Sequence, residues 1–190
     1  MAHFAERTIA YVRDYSDYVG GGRFLPTATP NSLEEEEEAL GELLLIESQR
    51  TAHLPTTNSN DLILIDRSAH TLLAHCFALE GITGIGYGSL AEDILLRSSV
   101  PLWPGTIFYL DITDDAVRER NKGKFGGGSI FVQPKFNAGI RSYFAKLAAL
   151  GGSTRVIWMD ATLSIHSLRE LACVEVREFL SKMDGDKESS

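Results

Sequence analysis

The sequence predicts an α/β fold with a parallel sheet, because short apolar runs alternate with helical segments. The runs are Leu62 to Ile65, Thr106 to Ile112 and Arg155 to Met159. Apolar and polar side chains do not alternate in these runs, which is typical of strands buried on both faces under layers of helices. The chain of 190 residues is long enough for a substantial core. We therefore expect one three-layer domain over residues 1–182, followed by a polar tail over residues 183–190.

Bulk composition narrows the classes of function. A net charge of −8 with 44% hydrophobic residues indicates an ordinary globular protein and argues against a nucleic-acid surface. Cys76 and Cys173 lack metal-ligand spacing, so we expect free thiols in a reducing compartment. No apolar run approaches the ~20 residues of a membrane span, and the first residues do not resemble a signal peptide. We expect a cytoplasmic protein that binds neither nucleic acid nor membranes.

Two helices are predicted before the first strand. The first runs from Ala2 to about Tyr18. The second begins at Ser32, which forms a capping box with Glu35, and continues to about Leu54. The acidic run Glu34 to Glu38 suits the start of this helix, because negative charge is favourable there. We therefore do not interpret the run as a metal site.

Further helices are expected after the first strand, two of them with clear start signals. Ser89 forms a second capping box with Glu92, and Pro134 suits the first turn of a helix. The glycine-rich segment from Glu80 to Gly88 follows a helix and lacks a Gly-Lys-Ser/Thr ending, so it is not a nucleotide loop. The predicted helices are Ala69 to Leu79, Ser89 to Ser98, Ala116 to Asn121, Pro134 to Leu150 and Ser164 to Lys182.

Each predicted strand ends in an aspartate that is followed by small or polar residues. They are Asp66, Arg67 and Ser68 after the first strand, Asp111 in the second, and Asp160, Ala161 and Thr162 after the third. Ligands bind at the carboxyl ends of strands in open α/β sheets, so these residues predict a site for a metal, a phosphate or a ribose. A salt-bridged strand end without chemistry is an equal alternative.

A basic segment at about residues 118–133 is a second candidate feature. It contains four cations, Arg118, Arg120, Lys122 and Lys124, and then three consecutive glycines. Such a segment suits a flap, or lid, that brings positive charge to a bound anion. A plain surface loop is the alternative.

Motifs over nearly the whole chain point to one family. In order, they are L-L-I-E-S-Q-R-T-A-H-L, D-R-S-A-H-T-L-L-A-H, I-F-Y-L-D-I-T-D-D-A-V-R-E-R, F-N-A-G-I-R-S-Y-F-A-K-L and V-I-W-M-D-A-T-L-S-I. Together they resemble the thymidylate kinase branch of the P-loop nucleoside and nucleotide kinases. Ser68 and His75 stand where that family has tyrosines. The triplet D-R-S also resembles the E-R-S of deoxynucleoside kinases.

The resemblance implies a P-loop kinase sheet and phosphoryl transfer from ATP, with Mg²⁺, to a (deoxy)nucleoside monophosphate or a nucleoside. It implies that the acceptor is bound by Arg50, Arg67, Ser68 and Thr71. The implied catalytic group, which positions the acceptor and neutralises the transferred phosphoryl, is Asp66, Arg67, Arg118, Arg120, Lys122 and Lys124. Asp160, Ala161 and Thr162 would lie near the adenine. No residue is assigned as a metal ligand, and a homodimer is a further implication.

One departure from the family concerns the phosphate-binding loop. The sequence contains no G-x-x-x-x-G-K-[ST] motif, whose backbone amides and lysine hold phosphates. We expect Met1 to be an internal or misassigned start, preceded by roughly 30 or more residues that carry a strand, the loop and a helix. A catalytically inactive kinase-like module that binds a nucleotide or has a regulatory role is the alternative. A generic α/β domain with structural strand ends is a third hypothesis.

Overall fold

The computed structural model describes residues 9–19, 25–52, 54, 62–98, 100, 105–122, 129–152 and 154–188. Four strands lie within these ranges: β1 (Ile9–Val12), β2 (Leu62–Ile65), β3 (Thr106–Asp111) and β4 (Arg155–Asp160). The α-helices of the same ranges are α1 (Leu33–Thr51), α2 (Ala69–Thr83), α3 (Tyr87–Arg97), α4 (Asp114–Arg120), α5 (Pro134–Ala149) and α6 (Ile165–Glu188). Short 3-10 helices occur at Tyr15–Tyr18 and Ile130–Val132.

The strands form two separate parallel pairs, β1 with β2 and β3 with β4. Ile9 lies opposite Leu62 in the first pair, and Thr106 lies opposite Arg155 in the second. The α/β class with parallel strands is therefore confirmed. The continuous sheet is not observed, because no hydrogen-bonded ladder joins β2 to β3 in the described part of the chain.

The helix expected from Ala2 to Tyr18 is wrong over its described part. Residues 9–12 form β1, and residues 15–18 form a 3-10 helix. The reason is tertiary: β1 pairs with β2, and this pairing buries Val12. The Asp14 carboxylate also accepts a hydrogen bond from the Ser16 amide at 2.9 Å, which stabilises a local turn that competes with a helix. Residues 2–8 lie outside the described ranges.

Two of the three helix start signals agree with the structure, and one does not. The Ser32 hydroxyl accepts a hydrogen bond from the Glu35 amide at 3.2 Å, which confirms the start of α1. Helix α3, in contrast, begins at Tyr87, so the predicted start at Ser89 is wrong. Burial explains the difference, because the hydroxyl of the fully buried Tyr87 donates to the Pro30 carbonyl and holds this residue in place. Pro134 begins α5 as predicted.

Two helices run further than their sequence patterns suggested. Helix α2 continues to Thr83 and ends at Gly84, which has a left-handed backbone with φ of 74°. Helix α6 continues to Glu188, so the polar tail expected from residue 183 is helical over residues 183–188. A polar composition does not by itself prevent a helix. No helix in the described ranges combines the length and apolarity needed to cross a bilayer.

Helix α2 is the centre of the core, and it packs against α1, α3 and α5. The strands are less covered than a sheet between two helix layers would be. Leu64 in β2 is 41% exposed, and Leu110 in β3 is 54% exposed. The prediction that these runs are buried on both faces is therefore wrong. Ile9 and Tyr11 share the exposed face with Leu64, so one face of the first pair is left uncovered by the described residues.

The close approach of α2 and α5 depends on Gly139. A Cβ atom at this position would lie 2.7 Å from the Cα atom of Ala78 and 2.8 Å from its Cβ atom. We expect Gly139→Ala to lower the free energy of unfolding by about 1–3 kcal/mol, because the two backbones must separate. Urea denaturation followed by circular dichroism measures this change.

Gly41→Ala in α1 is the matched control for that substitution. A Cβ atom there would meet nothing within 4 Å. We expect a gain of about 0.5–1 kcal/mol from the lower entropy of the unfolded chain. If both alanines are tolerated equally, the contact between α2 and α5 is looser than described.

A buried carboxyl group makes stability depend on pH. Glu36 is buried and accepts a hydrogen bond from the Cys76 thiol, and its burial raises its pKa above the ordinary value. Because the pKa of Glu36 is higher in the folded than in the unfolded protein, its carboxyl group does not lower the free energy of unfolding below the unfolded-state pKa. The free energy of unfolding falls as pH rises through the folded-state pKa, where the buried group must ionise. We therefore expect Glu36→Gln to raise the urea midpoint at pH 8 and to have little effect near pH 4. Glu37→Gln, at an exposed neighbour, should change the midpoint little at either pH.

Candidate functional site

The turn between β2 and α2 presents two charged side chains to solvent. Strand β2 ends at Ile65, and Ser68 is the N-cap residue of α2. Between them Arg67 has a φ of 61°, in the left-handed region that non-glycine residues rarely adopt. The side chains of Asp66 and Arg67 are exposed. Unfavourable backbone of this kind occurs often at functional sites, where surrounding contacts enforce it.

The end of β1 contributes partners to this turn. Asp14 Oδ2 lies 3.1 Å from Arg67 Nε, and its other oxygen accepts hydrogen bonds from Ser16. Partial burial opposes ionisation of Asp14, but the hydrogen bonds from Ser16 and the charges of Arg67 and Arg50 outweigh it and lower its pKa. The Tyr11 hydroxyl lies 3.4 Å from Asp66 Oδ2. The two strand ends thus form one polar cluster.

Arg50 lies directly beneath the turn and is completely buried. Its Nη1 donates to Glu47 Oε2 at 2.7 Å, and both side chains have 0% exposure. Its Nη2 donates to the carbonyl oxygens of Asp66, at 2.6 Å, and Arg67, at 3.0 Å. The guanidinium carbon lies 4.0 Å from the centre of the Tyr15 ring. Arg50 is therefore beside the predicted site, but its terminal nitrogens contact protein atoms.

Ser68 and Thr71, the other residues predicted to bind the acceptor, form the start of α2. Ser68 is buried, and its backbone amide lies 3.4 Å from the Thr71 hydroxyl oxygen. Their described contacts therefore cap a helix. A role for either side chain in binding a ligand stays a prediction.

The second pair of strands ends in another polar cluster. Asp111 accepts a hydrogen bond from Arg141 Nε at 2.7 Å, and Arg141 also donates to the Ile112 carbonyl and lies near Asp114. The hydrogen bond to Asp111 raises the pKa of Arg141. Sequence reasoning assigned no role to Arg141, because it lies on α5, 30 residues from Asp111. Arg141 lies in the motif F-N-A-G-I-R, and this motif was the sequence feature that could have identified it.

The structure brings Arg120 to the residues expected near the adenine. Its Nη2 donates to the Ala161 carbonyl at 2.7 Å. Asp160 accepts hydrogen bonds from the Thr162 amide at 2.8 Å and hydroxyl at 2.6 Å, and these bonds lower its pKa. Arg120 of the expected flap and the residues expected near the adenine therefore lie together at the end of β4.

The remaining basic residues of the expected flap are not assembled into a site by the described contacts. Arg118 pairs with Asp115, and Lys122 pairs with Glu119, each within the exposed α4 region. Lys124 and the glycines after it lie outside the described ranges. The closing motion of residues 118–133 stays a prediction.

A separate groove of about 1130 Å³ lies between α2, α3 and α5. Apolar residues such as Phe77, Leu95 and Leu147 line it, together with His70. His70 Nδ1 lies 2.9 Å from the Tyr143 hydroxyl, and burial lowers the pKa of this histidine. None of the predicted site residues that the structure describes lines this groove.

The side chains at the strand ends determine whether the implied ATP and Mg²⁺ would fit there. Within the described ranges, no group of three or more His, Cys, Asp or Glu residues is placed to hold a metal ion. Asp111 is paired with Arg141, and Asp160 is engaged by Thr162. These residues alone therefore do not fit a metal centre, although nucleotide-bound Mg²⁺ takes much of its coordination from phosphates and water.

Comparison with known proteins adds no family assignment: no family model matches the chain, and no curated protein matches it. The kinase resemblance therefore rests on the motifs alone.

The two arginines of the first cluster should contribute differently to stability. We expect Arg50→Met to cost about 3–5 kcal/mol, because it leaves the Glu47 carboxylate buried without its partner. Arg67→Met should cost at most about 1 kcal/mol, because the Arg67 side chain is largely exposed and solvent screens its pair with Asp14. Urea unfolding of both variants measures the difference. Equal losses would show that Arg50 is not buried as described.

Proposed function

We propose that this chain binds a nucleotide or nucleoside at the carboxyl ends of its parallel strands, as part of an ATP-dependent phosphotransferase of the thymidylate kinase type. One observation carries the proposal: the exposed pair Asp66 and Arg67 on a left-handed turn directly after a parallel strand. Ligands of parallel α/β proteins bind at this end of the strands. The D-R-S triplet at this turn is also part of the kinase resemblance.

The chemistry of Arg67 suits a phosphate. Asp14 engages its Nε, and its side chain is 58% exposed, so an anion can approach the terminal nitrogens. A planar guanidinium binds phosphate oxygens through two parallel hydrogen bonds. The exposed carboxylate of Asp66 can accept a hydrogen bond from a sugar hydroxyl. The pair therefore recognises both ends of a nucleoside monophosphate, its sugar and its phosphate.

The second cluster supports a place for the donor nucleotide. Arg120, Asp160 and Thr162 meet at the end of β4. ATP held there would supply the phosphoryl group, and its Mg²⁺ would be carried by the phosphates and water. The cations of residues 118–124 would help to neutralise the charge of the phosphoryl group. A cytoplasmic location and a homodimer belong to the same proposal and rest on the resemblance.

A kinase-like module that binds a nucleotide without transfer is the second candidate. The guanidinium groups of Arg50 and Arg120 already donate to backbone carbonyls. The sequence also contains no G-x-x-x-x-G-K-[ST] motif. Both observations leave fewer donors for a transferring phosphoryl group, which favours binding over catalysis for this chain.

Binding of thymidine and of thymidine monophosphate by isothermal titration calorimetry tests the proposed site. We expect Arg67→Gln to weaken the binding of thymidine monophosphate about tenfold or more, because a lost charged hydrogen bond contributes about 1.5–3 kcal/mol. The affinity for thymidine, which has no phosphate, should be unchanged. Arg97→Gln is the matched control, because Arg97 is exposed and its hydrogen bond within the described ranges is to the Asp93 carbonyl of its own helix. Equal affinities of wild type and Arg67→Gln for thymidine monophosphate would show that Arg67 does not bind the phosphate.

Phosphate transfer separates the two candidates. The chain is incubated with radiolabelled ATP, Mg²⁺ and each acceptor, and the labelled product is quantified. Transfer supports the kinase, and binding without transfer supports the module. Absence of binding by thymidine monophosphate, other deoxynucleoside monophosphates and nucleosides would contradict both.

A further inference from the structure

We infer that Arg50 is a positioning residue: it holds the turn at Asp66 and Arg67 in its left-handed conformation from beneath and does not touch the ligand. The inference deepens the proposed function, on which it rests for the role of Arg67 in binding. It changes the role that the motif resemblance implied for Arg50.

The left-handed turn needs contacts that enforce it. Arg67 carries a side chain and has φ of 61°, a conformation that is costly for every residue except glycine. Such a conformation persists only where the surrounding structure determines it. The ion pair between Arg67 and the partly buried Asp14 joins side chains only, and solvent weakens it because the Arg67 side chain is 58% exposed. The contacts that enforce the turn must therefore act on the backbone.

Arg50 supplies those backbone contacts. One nitrogen, Nη2, donates to the carbonyls of Asp66 and Arg67, the two peptide groups on either side of the Arg67 Cα atom. Successive residues of an extended strand alternate in direction, so neighbouring carbonyls do not face one donor. Both carbonyls can accept from Nη2 only if the backbone turns at Arg67. The hydrogen bonds thus stabilise a turned backbone at Arg67 over an extended one, and the observed turn is the left-handed one that carries the Arg67 side chain.

The position of Arg50 is itself tightly determined. Glu47 binds its Nη1, and the Tyr15 ring lies 4.0 Å from its guanidinium carbon. Arg50 also lies in the last turn of α1, where a cation interacts favourably with the helix dipole. The guanidinium is a rigid planar fork, so fixing one edge on Glu47 fixes the direction of the other. A lysine ammonium cannot reproduce this geometry.

Arg50 is inaccessible to a ligand in this arrangement. Its side chain has 0% exposure, and its Nη1 and Nη2 atoms are engaged. Its Nε atom is buried and has no hydrogen-bond partner in the described structure. The Asp66 amide donates to the Val12 carbonyl at 2.9 Å, which holds the turn against β1. A phosphate could reach Arg50 only if this junction opened.

Arg50→Lys tests the inference, with Arg97→Lys as the control. Backbone chemical shifts and the HN–Hα coupling of residue 67, measured by NMR without ligand, report its φ angle. We expect Arg50→Lys to remove the left-handed signature and Arg97→Lys to retain it. A residue 67 that stays left-handed in Arg50→Lys overturns the inference. If this variant does not fold, Glu47→Gln, which loosens the hold on Nη1, is measured in its place with the same expected and contradicting results.

Ligand affinity provides the second readout. We expect Arg50→Lys to weaken the binding of thymidine monophosphate about tenfold. The double variant Arg50→Lys with Arg67→Gln should bind it no more weakly than Arg67→Gln alone, because the effects of coupled residues do not add. Independent losses that add would indicate direct contact of Arg50 with the ligand and overturn the inference. If wild type binds no nucleotide, the proposed function fails, while the NMR result still decides the role of Arg50.

Discussion

The buried pair of Glu47 and Arg50 is the interaction on which the first strand-end cluster depends. It joins the last turn of α1 to the junction of β2 and α2, and it lies against Tyr15 from the segment after β1. Burying two charges is costly, and a hydrophobic pair is often at least as stable. Glu47 Oε1 and Arg50 Nε also lack hydrogen-bond partners among the described residues. The pair is therefore better explained by the geometry that it imposes than by the stability that it adds.

The apolar core and the polar strand-end clusters lie in different parts of the molecule. Apolar burial is concentrated in the helices, where α2 packs among α1, α3 and α5 with Gly139 allowing close contact. The strands bury less of their surface, yet their carboxyl ends collect the arginines and aspartates. Despite a net charge of −8, each cluster thus contains a guanidinium group beside carboxylates. Such local positive charge is what the proposed anion site requires in a chain that is acidic as a whole.

Local signals predicted much of the fold and part of the site. Ser32 and Pro134 started helices as expected, because capping and a fixed φ act within a few residues. The exposed Asp66 and Arg67 followed a strand as expected. The segment 9–18 and the start of α3 were wrong, because β1 depends on pairing with β2 and Tyr87 depends on the Pro30 carbonyl. Arg141 was missed because its partner Asp111 is distant in the chain.

The sequence alone determined the α/β class, the positions of the parallel strands β2, β3 and β4, and the charged residues that follow them. These features depend on apolar periodicity and on neighbouring residues, which a linear pattern contains. Tertiary structure decided that the strands form two separate pairs, and that Arg50 lies beneath a left-handed turn. Strand pairing and the burial of a charge both depend on contacts between distant segments, so no local pattern specifies them.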